Sequence, residues 1–452
     1  MSTIQDKTCD IVVVGSGLAG LSAALSAAAE HASVLILEQK QTPGGVTAIS
    51  RGIFNSFDPY RQHERHISDS PQRHWEETLA FGSSQNQLDL SETLCYEAFM
   101  ALQWLQNHGV SFTDDLVSGP GLTTPRGHVP SRHECGHGLV LPLVSACSRL
   151  QIPILYGCKV ISFSSETRGF SLLCQTADTS VTVRCKALIL AAGGFAGNKT
   201  RLHTIAPLSA RAHIPSASSD GRLLINAVNL GAQTVGEDFL SLQLIGRDKL
   251  KNRWLLQNDL PAPFGNPARF IAINGEGRRF CREDVPVEAF LREALALTDG
   301  TFFLLASPPP WSAPLTPEQN GFACPTLSAV SDEFGIPVEN LEHTVAAYNR
   351  DCAAKTDAFG KNAGILVPLH SPRWLIARAG VCVAATLGGL KTSTNGSVIS
   401  RQGNLIEGLY AAGEIVGGIH GRSALPGNML TAAAVFGIRS GRSAAKYVEK
   451  KL

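Results

Sequence analysis

The stretch "DIVVVGSGLAGLSAALSAAAE", residues Asp10–Glu30, decides the fold of this chain. An apolar, β-branched run is followed by glycines in GxGxxG spacing and then by an Ala- and Leu-rich segment with high helix propensity. This order predicts a strand, a tight turn and a helix. Gly15 permits the turn, Gly17 lets a pyrophosphate approach the backbone, and Gly20 allows the helix to pack closely on the strand.

A second apolar strand, "SVLILEQK" at residues 33–40, follows the predicted helix and contains Glu38 near its end. An acidic side chain at this spacing accepts hydrogen bonds from the ribose hydroxyls of an adenosine. Strand, glycines, helix and acid occur together, so we interpret them as a dinucleotide-binding unit. A chance βαβ turn with a surface glutamate is the weaker interpretation.

Three further segments extend the predicted ligand site. "QTPGGVTAISRG", residues 41–52, contains a second glycine pair and hydroxyl side chains. "KALILAAGGFAG" at residues 186–197 and "EGLYAAGEIVGGIHG" at residues 407–421 end apolar strands in small residues. Small residues at strand ends let the backbone meet an extended ligand where a sheet opens. A nicotinamide dinucleotide does not need so many contacts, so the pattern favours FAD.

Composition limits the remaining possibilities. The 452 residues are 44% hydrophobic and carry a formal charge of +1, which favours neither nucleic acid nor an anionic membrane as a partner. No apolar run is long enough to span a bilayer, and the first residues lack the pattern of a secretory signal, so we expect a cytoplasmic protein with no membrane span. The eleven cysteines lack CxxC spacing, which argues against a disulfide framework.

The chain resembles the flavoprotein family of fumarate reductases, urocanate reductases, tricarballylate dehydrogenases and 3-ketosteroid dehydrogenases. The resemblance covers nearly the whole chain and rests on separated motifs, among them "VVVGSGLAG", "GGVTAISRG", "TPRGHVP", "INGEGRRF", "GLYAAGEIVGGIHG" and "PGNMLTAAAVFG". It implies an α/β fold with a Rossmann-like FAD-binding domain made of residues 1–230 and 361–452. A mobile α+β cap domain, residues 231–360, is inserted between them and includes the Pro-rich loop "SPPPWSAPLTP".

The resemblance also implies which residues contact FAD. The backbone at Val160 reaches the adenine, and the amides at the start of the helix that follows Gly427 lie near the flavin ring, where they stabilise negative charge. Val46 occupies the position of the histidine that binds FAD covalently in respiratory relatives, so we expect non-covalent FAD. The implied contacts are Gly15, Gly17, Leu18, Ala19, Gly20, Glu38, Gln39, Gly44, Gly45, Val46, Thr47, Ser50, Gly52, Val160, Ala192, Gly193, Asp220, Gly413, Glu414, Asn428, Met429 and Leu430.

At the substrate side the chain departs from these relatives. Val287 stands where fumarate reductases have an arginine proton donor, and Ala424 stands where they have a substrate-binding arginine. Ala384 and Ala385 replace a histidine-containing segment, and Leu425 occupies the position of the tyrosine that polarises the ketone in ketosteroid dehydrogenases. Neither mechanism transfers to this chain, and the substitutions predict a more apolar pocket.

Four polar residues remain as catalytic candidates: Arg126, His128, His420 and Arg422. Arg126 and His128 lie in the histidine-rich stretch "TTPRGHVPSRHECGHG" and either bind an acidic or carbonyl group or merely order the loop. Arg422 follows the shared "HG" and either anchors a substrate or ties its own loop. His133, Cys135 and His137 lack a further ligand pair, so we expect no metal.

Together these observations predict an FAD-dependent oxidoreductase that desaturates or reduces a carbon–carbon bond next to a carbonyl or carboxylate. The small-molecule substrate is expected to be cyclic or a secondary metabolite, and the electron donor or acceptor is unidentified. Two alternatives stay open. One is an FAD-dependent isomerase or rearranging enzyme without net redox turnover, and the other is a non-catalytic flavoprotein that serves as a partner in electron transfer or assembly.

Overall fold

The computed structural model describes residues 7–119, 121–215, 219–248, 250, 253–256, 260–297, 300–307, 322–370 and 373–451. Apart from Ser307, the Pro-rich stretch predicted for the cap lies outside the described residues. The chain folds into two compact units. The first unit contains Met1–Ile205, Ser216–Ser241 and Ala385–Leu452, and the second contains Ala206–Pro215 and Leu242–Ala384.

The described strands and helices are numbered in chain order. The strands are β1 (Lys7–Val14), β2 (Val34–Leu37), β3 (Phe54–Asn55), β4 (Phe112–Val117), β5 (Gly127–Pro130), β6 (Ile154–Leu155), β7 (Lys159–Glu166), β8 (Gly169–Gln175), β9 (Ser180–Leu190), β10 (Thr234–Val235), β11 (Leu240–Asp248), β12 (Arg253–Leu256), β13 (Phe270–Ile273), β14 (Phe302–Ala306), β15 (Ala323–Cys324), β16 (Trp374–Thr386), β17 (Gly389–Leu390), β18 (Ser397–Ile399) and β19 (Leu405–Ala411). The helices are α1 (Leu18–Ala28), α2 (Gly45–Ile49), α3 (Pro59–Glu64), α4 (Pro71–Phe81), α5 (Leu88–Asn107), α6 (His137–Arg149), α7 (Lys199–Ile205), α8 (Arg222–Asn229), α9 (Val287–Ala296), α10 (Leu327–Phe334), α11 (Val338–Ala354) and α12 (Asn428–Lys450).

The first unit is built on a sheet in the order β18-β19-β9-β1-β2-β6. The strands from β19 to β6 run parallel, and β8 and β18 add antiparallel neighbours. Ile11, Val12 and Val13 are completely buried in β1, because a parallel sheet with helices on both sides excludes water from both faces. This sheet confirms the predicted α/β class and the predicted strand–turn–helix at its start.

Helices α1 and α12 pack against each other with their backbones in close approach. A Cβ added to Gly437 would lie 2.5 Å from the carbonyl oxygen of Ala19, and one added to Gly441 would lie 2.1 Å from that of Ala23. Only glycine permits such an approach. The long C-terminal helix is thereby held against the helix that follows the GxGxxG turn.

The second unit contains a separate sheet in the order β12-β11-β16-β14-β13, with β15 also paired to β16. Two apolar clusters surround this sheet, one containing Phe290 and Phe302 and the other containing Phe303 and Tyr348. Successive side chains of β14 enter the two clusters in turn, because neighbouring residues of a strand point to opposite faces of the sheet. The described helices of this unit are α9, α10 and α11.

The boundaries of the second unit differ from the predicted segment 231–360. The unit continues to Ala384 because β16 is a central strand of its sheet. It also takes in Ala206–Pro215, where His213 pairs with Cys382 of β16. The assignment of the two units as FAD-binding and cap domains stays a prediction. No helix in the described part of the chain is long and apolar enough to cross a membrane.

Candidate functional site

The predicted glycine motifs meet at one edge of the parallel sheet. The register pairs Val14 of β1 with Leu190 of β9 and pairs Leu190 with Ala411 of β19, so the three strands end together. A Cβ on Gly15 would lie 2.3 Å from the carbonyl oxygen of Ala191, and one on Gly413 would lie 2.9 Å from the Cβ of Ala19. The turn at Gly15 therefore packs against the backbone after β9, and the turn at Gly413 packs against Ala19 of α1, which is the close approach that a dinucleotide site requires.

The start of α1 presents unused hydrogen-bond donors. Within the described residues, the backbone amides of Gly17, Ala19 and Gly20 have no acceptor, while the amide of Leu18 donates to Thr47 Oγ1 at 3.2 Å. No acidic side chain stands in the first turn to satisfy these amides. Free amides together with the positive end of the helix dipole favour a bound phosphate. The donor set therefore fits the pyrophosphate of a dinucleotide.

Glu38 stands at the end of β2 with 5% of its surface exposed. Its Oε2 accepts hydrogen bonds from the amide of Ser16 at 2.9 Å and from the hydroxyl of Ser16 at 2.6 Å, and its Oε1 accepts from the amide of Lys40 at 2.8 Å. A carboxylate offers about four acceptor positions, so capacity for a further donor remains. The carboxylate is held rigidly, while its predicted ribose contact stays a prediction.

The second glycine pair begins α2. Gly44 has φ of 101° and donates its amide to the carbonyl of Ser16, while a Cβ on Gly45 would meet no atom within 4 Å. Val46 is 37% exposed. Backbone at this turn is therefore accessible to a ligand, as predicted for the flavin and ribityl portion.

The predicted hydroxyl ligands in this segment already have protein partners. Ser50 donates its hydroxyl to the carbonyl of Thr47 at 2.7 Å and accepts from the amide of Gly52 at 3.2 Å. Thr47 Oγ1 accepts from the amide of Leu18. These side chains shape the turn and connect it to α1, and their direct contact with the cofactor stays a prediction.

The remaining predicted cofactor residues lie in different environments. Val160 is buried in β7, whereas Gln39 is exposed. The carbonyl of Ala192, next to Gly193, accepts a hydrogen bond from Ser219 at 2.7 Å. Asp220 caps α8 by accepting from the amide of Arg222 at 3.1 Å.

Glu414 is the acidic group closest in sequence to the turn after β19. Desolvation raises its pKa, and hydrogen bonds from the amides of Thr386 and Gly194 oppose that rise. The Glu414 Oε1 accepts from the Thr386 amide at 2.9 Å and from its hydroxyl at 3.2 Å. The side chain therefore joins the last residue of β16 to the turn that precedes "GGIHG".

A buried polar network holds the first turn of α12. Asn428 is fully buried, and its Oδ1 accepts from Asn55 Nδ2 at 2.9 Å and lies 2.8 Å from His74 Nε2. Its Nδ2 donates to the hydroxyl of Thr78 at 2.8 Å. Since Asn428 Oδ1 only accepts, His74 carries its proton on Nε2. These bonds fix the Asn428 side chain, and its predicted contact with the cofactor stays a prediction.

The next two amides of α12 are open. In the described part of the chain, neither Met429 nor Leu430 donates its backbone N–H to a protein acceptor. The preceding Gly427 has φ of 98°, and a Cβ there would lie 2.5 Å from Asn55 Oδ1. The start of α12 thus joins that of α1 in offering amides for an anionic or carbonyl group.

Two of the four catalytic candidates already have charged partners. Arg126 is completely buried between Asp69, at 2.6 Å and 3.0 Å, and Glu77, at 2.5 Å. His128 is also completely buried, with Nε2 3.1 Å from the Asp58 carboxylate and Nδ1 3.0 Å from the carbonyl of Arg126. This geometry orders the loop around β5, and a catalytic role for either residue stays a prediction.

His420 and Arg422 make fewer polar contacts with the protein. His420 is 5% exposed, and its buried Nδ1 has no hydrogen-bond partner among the described residues. Burial lowers its pKa to about 4, so the imidazole is neutral near pH 7. The Arg422 side chain is 43% exposed, its nearest carboxylate oxygen in Asp238 is 3.8 Å away, and its guanidinium carbon lies 4.6 Å from the ring centre of Phe239.

The substituted positions agree with an apolar surrounding. Leu425 is 1% exposed and Ala385 is 5% exposed, so neither presents a polar group. Val287 begins α9 in the second unit. Among the described residues, no group of three or more His, Cys, Asp or Glu side chains is arranged to hold a metal. His133, Cys135 and His137 do not form such a group, and the expected absence of a metal stays a prediction.

Several residues of this region were missed by the sequence interpretation. Asn55, His74 and Thr78 form the network around Asn428, and Asn86 contacts the segment that carries His420. The sequence contains no motif for these contacts, because the partners are separated by more than 300 residues. Phe239 lies beneath the Arg422 guanidinium, and nothing in its sequence surroundings apart from its aromatic side chain indicated this contact.

Known proteins and one family model match nearly the whole length of this chain. A family model described as FAD binding domain matches residues 10–430. NADH:fumarate oxidoreductase of Klebsiella pneumoniae (strain 342) is 27% identical over 453 residues, 97% of this chain and 48% of that protein. The chain thus spans about half the length of that relative. Fumarate reductase (cytochrome) of Shewanella frigidimarina is 29% identical over 474 residues, 100% of this chain and 79% of that protein.

A relative of similar length is vinyl phenol reductase of Lactiplantibacillus plantarum. It is 27% identical over 495 residues, which cover 100% of this chain and 99% of that protein. Among solved structures, the open conformation of a flavocytochrome c3 fumarate reductase gives a TM-score of 0.86 at 23% identity, with coverage of 98% of this chain and 79% of that chain. At this identity the structural match speaks for the fold.

Proposed function

Because the chain belongs to the FAD binding domain family, we propose that it is an FAD-dependent oxidoreductase acting on a carbon–carbon bond next to a carbonyl or carboxylate. The names of its relatives support reduction of a carbon–carbon double bond, which in fumarate lies between two carboxylates and in vinyl phenol is attached to an aromatic ring. FAD supplies two-electron chemistry, in which a hydride is exchanged with one of the two carbons. The neighbouring carbon exchanges a proton.

The observation that carries the proposal is the pair of polar groups in the segment after β19. Arg422 has no hydrogen bond from its guanidinium within the described residues, and its only nearby carboxylate is at 3.8 Å. A half-exposed guanidinium keeps its charge and presents a planar set of donors. We assign Arg422 the role of anchoring the carboxylate or carbonyl oxygen of the substrate.

His420 supplies a second kind of group two residues away. It is neutral near pH 7 because burial lowers its pKa to about 4. A neutral imidazole donates an N–H to a carbonyl oxygen, and this bond strengthens as negative charge develops on that oxygen. A buried donor without a protein partner costs about 1–3 kcal/mol, which a substrate contact would recover.

The apolar residues of the segment favour a substrate with a hydrophobic body. Leu425 replaces a polar catalytic side chain, and Phe239 stacks beneath Arg422. An aromatic ring under a guanidinium suits a flat, conjugated group beside the carboxylate. We therefore propose an aryl or other cyclic enoate or enone as the substrate class.

The test is anaerobic mixing while the visible absorbance of the flavin is recorded. Protein reduced with dithionite is mixed with cinnamate or cyclohexenone, and oxidised protein is mixed with the corresponding saturated compounds. Reoxidation or bleaching, with the product identified by mass, supports the proposal. A rearranged product without net flavin change points to an isomerase, and no response to any compound favours a non-catalytic flavoprotein.

The proposal for how FAD is attached rests on Val46. Valine has no nucleophilic atom, so a covalent bond to the flavin at that position is excluded by its chemistry. We propose that FAD is bound non-covalently and that acid precipitation releases it into the supernatant. Flavin retained in the washed precipitate contradicts the proposal. The cytoplasmic location and the unidentified electron partner stay predictions.

A further inference from the structure

The turn between α4 and α5, residues 82–87, is held in an unusual backbone conformation. Ser83 and Ser84 have φ of 56° and 53°, in the left-handed region that non-glycine residues rarely adopt. Both serines are exposed, and the amide of Ser84 donates to the carbonyl of Leu79 at 2.8 Å. With the amide of Ser83 donating to the carbonyl of Ala80 at 3.2 Å, these bonds close the C-terminal end of α4 and define the start of the turn.

This turn binds the backbone of the segment that carries His420 and Arg422. Asn86 Nδ2 donates to the carbonyl of Ile419 at 2.9 Å, and the amide of Gln87 donates to the carbonyl of Gly418 at 2.8 Å. The carbonyl of Gly82 accepts from the amide of Arg422 at 3.0 Å. Hydrogen bonds therefore fix the peptide groups on both sides of His420.

The contact leaves no space for adjustment. A Cβ on Gly82 would lie 2.5 Å from the carbonyl oxygen of His420, and a Cβ on Gly421 would lie 2.3 Å from the carbonyl oxygen of Gly82. From the other direction, the amide of Gly417 donates to the carbonyl of Leu390 at 3.0 Å. The segment 417–422 is thus held from two sides within the first unit.

Asn86 is the side chain that joins the turn to this segment. It is 9% exposed, and its Oδ1 is buried without a hydrogen-bond partner. The residue thus leaves one polar atom unsatisfied while its Nδ2 bonds the Ile419 carbonyl. Because a buried amide oxygen without a partner lowers stability, the bond from Asn86 to Ile419 points to a positioning role.

We propose that Asn86 is a positioning residue that aims His420 and Arg422 at the substrate. The inference rests on the proposed function of those two residues. Asn86 acts through the backbone of Ile419, so its loss changes the direction of both side chains without touching the substrate. Displacements of about 1 Å at a binding group are enough to weaken a reaction about a hundredfold.

The experiment measures the Kd of cinnamate from the perturbation of the flavin spectrum in Asn86→Ala, Arg422→Ala and the double variant. Asn86→Ala should raise the Kd about tenfold, because the two groups that bind the substrate are then misdirected. In the Arg422→Ala background the same change should have a much smaller effect, because the group that it positions is absent. Ser84→Gly is the matched control in the same turn and should leave the Kd unchanged.

Hydrogen exchange provides a second measurement that needs no ligand. Asn86→Ala should speed amide exchange in peptides covering residues 417–422 while leaving those of α1 unchanged. If Arg422→Ala weakens cinnamate binding and Asn86→Ala does not, the inference is overturned and the proposed function stands. If Arg422→Ala is silent, the proposed anchor itself fails. Unchanged exchange in residues 417–422 overturns the positioning role whatever the ligand result.

Discussion

At the scale of single residues, the molecule separates two sets of polar side chains. Arg126 and His128 are completely buried and have acidic partners within 3.1 Å. His420 and Arg422 have no hydrogen-bonded side-chain partner among the described residues. A buried charged group is stabilised by its oppositely charged partners, and removing one partner lowers the stability of the fold. His420 and Arg422, which make no side-chain hydrogen bond among the described residues, are therefore the better candidates for substrate contact.

The first prediction concerns Arg422. Arg422→Ala should leave the flavin spectrum and the folding unchanged but weaken the binding of a carboxylate substrate by about 1.5–3 kcal/mol, the range for hydrogen bonds to a charged group. Arg422→Lys should restore only part of the affinity, because an ammonium lacks the planar pair of donors. Titration with cinnamate measures both effects.

Arg126→Ala is the comparison for this prediction. Its removal leaves Asp69 and Glu77 without their buried cation, so the main effect should be a loss of stability of about 3–5 kcal/mol. Denaturant unfolding measures that loss. If Arg126→Ala stays folded and alone abolishes binding, while Arg422→Ala is silent, the anchor lies in the loop before β5.

The second prediction concerns pH and the buried His74. Burial and the nearby Arg126 charge lower its pKa from 6.5 to about 4, so the unfolded state binds the proton more tightly. The contribution of the neutral His74 to the free energy of unfolding is fully present above pH 6.5 and is lost as the pH falls towards 4. His74→Gln, which keeps a donor for Asn428, should reduce this acid-dependent loss by at most about 3 kcal/mol.

Denaturant unfolding at several pH values between 7 and 4, with FAD in constant excess, checks the prediction. The wild type and the variant should differ in slope across this range. His63→Gln, at an exposed position of α3, controls for the general effect of removing an imidazole. Equal slopes for the wild type and His74→Gln contradict a neutral, buried His74.

At the scale of elements, two helix starts present backbone amides without protein acceptors among the described residues. Helix α1 begins after Gly17 and α12 begins after Gly427, and each leaves backbone amides without protein acceptors. Close packing at Gly437 and Gly441 holds the two helices together. Helix α12 is 23 residues long and packs tightly against α1. Because packed helices move together, we expect a displacement of α12 at this contact to move the first turn of α1 as well.

The third prediction tests this packing with Gly441→Ala. In an exposed helix such a change stabilises by about 1 kcal/mol, because alanine has the higher helix propensity. Here the added Cβ would lie 2.1 Å from the carbonyl oxygen of Ala23, so the helices must separate. We expect a loss of about 1–3 kcal/mol in the free energy of unfolding, together with weaker FAD binding.

Chemical denaturation and a titration of the apoprotein with FAD measure the two effects. Gly275→Ala is the control, because Gly275 is exposed and a Cβ there meets no atom within 4 Å. A stabilised Gly441→Ala protein with unchanged FAD affinity would show that the helices adjust freely.

At the scale of the whole molecule, the features of the FAD-binding family extend over most of the chain, while the positions predicted to face the substrate are apolar. The family match runs from residue 10 to residue 430. Val287, Ala385 and Ala424, where the resemblance to fumarate reductases predicts polar groups, are apolar residues. A frame that binds the cofactor can serve a different substrate when only the side chains near the substrate change.

The fourth prediction is that fumarate reduction is negligible. Val287, Ala385 and Ala424 offer no proton donor and no cation for a second carboxylate, so a dicarboxylate gains nothing over a monocarboxylate. With saturating FAD and reduced methyl viologen, fumarate should cause no oxidation of the dye above background. Cinnamate under the same conditions is the comparison. Rapid fumarate turnover would mean that other residues replace the missing groups.

The sequence by itself determined the cofactor frame. The GxGxxG turn, the second glycine pair and the small residues after β9 and β19 describe local backbone geometry, and local geometry is readable from residue type. The same pattern predicted α/β topology and the helix after Gly427, because strand and helix periods are properties of neighbouring residues. These predictions needed no knowledge of distant contacts.

Only the tertiary structure decided which polar residues are free. Asn86 and Ile419 are 333 positions apart, and Asn55 and Asn428 are 373 positions apart, so no local pattern shows that they bond. The extension of the second unit to Ala384 likewise depended on the pairing of β16 with its neighbours. A side chain is available to a ligand only when no other part of the chain satisfies it, and that depends on contacts between remote segments.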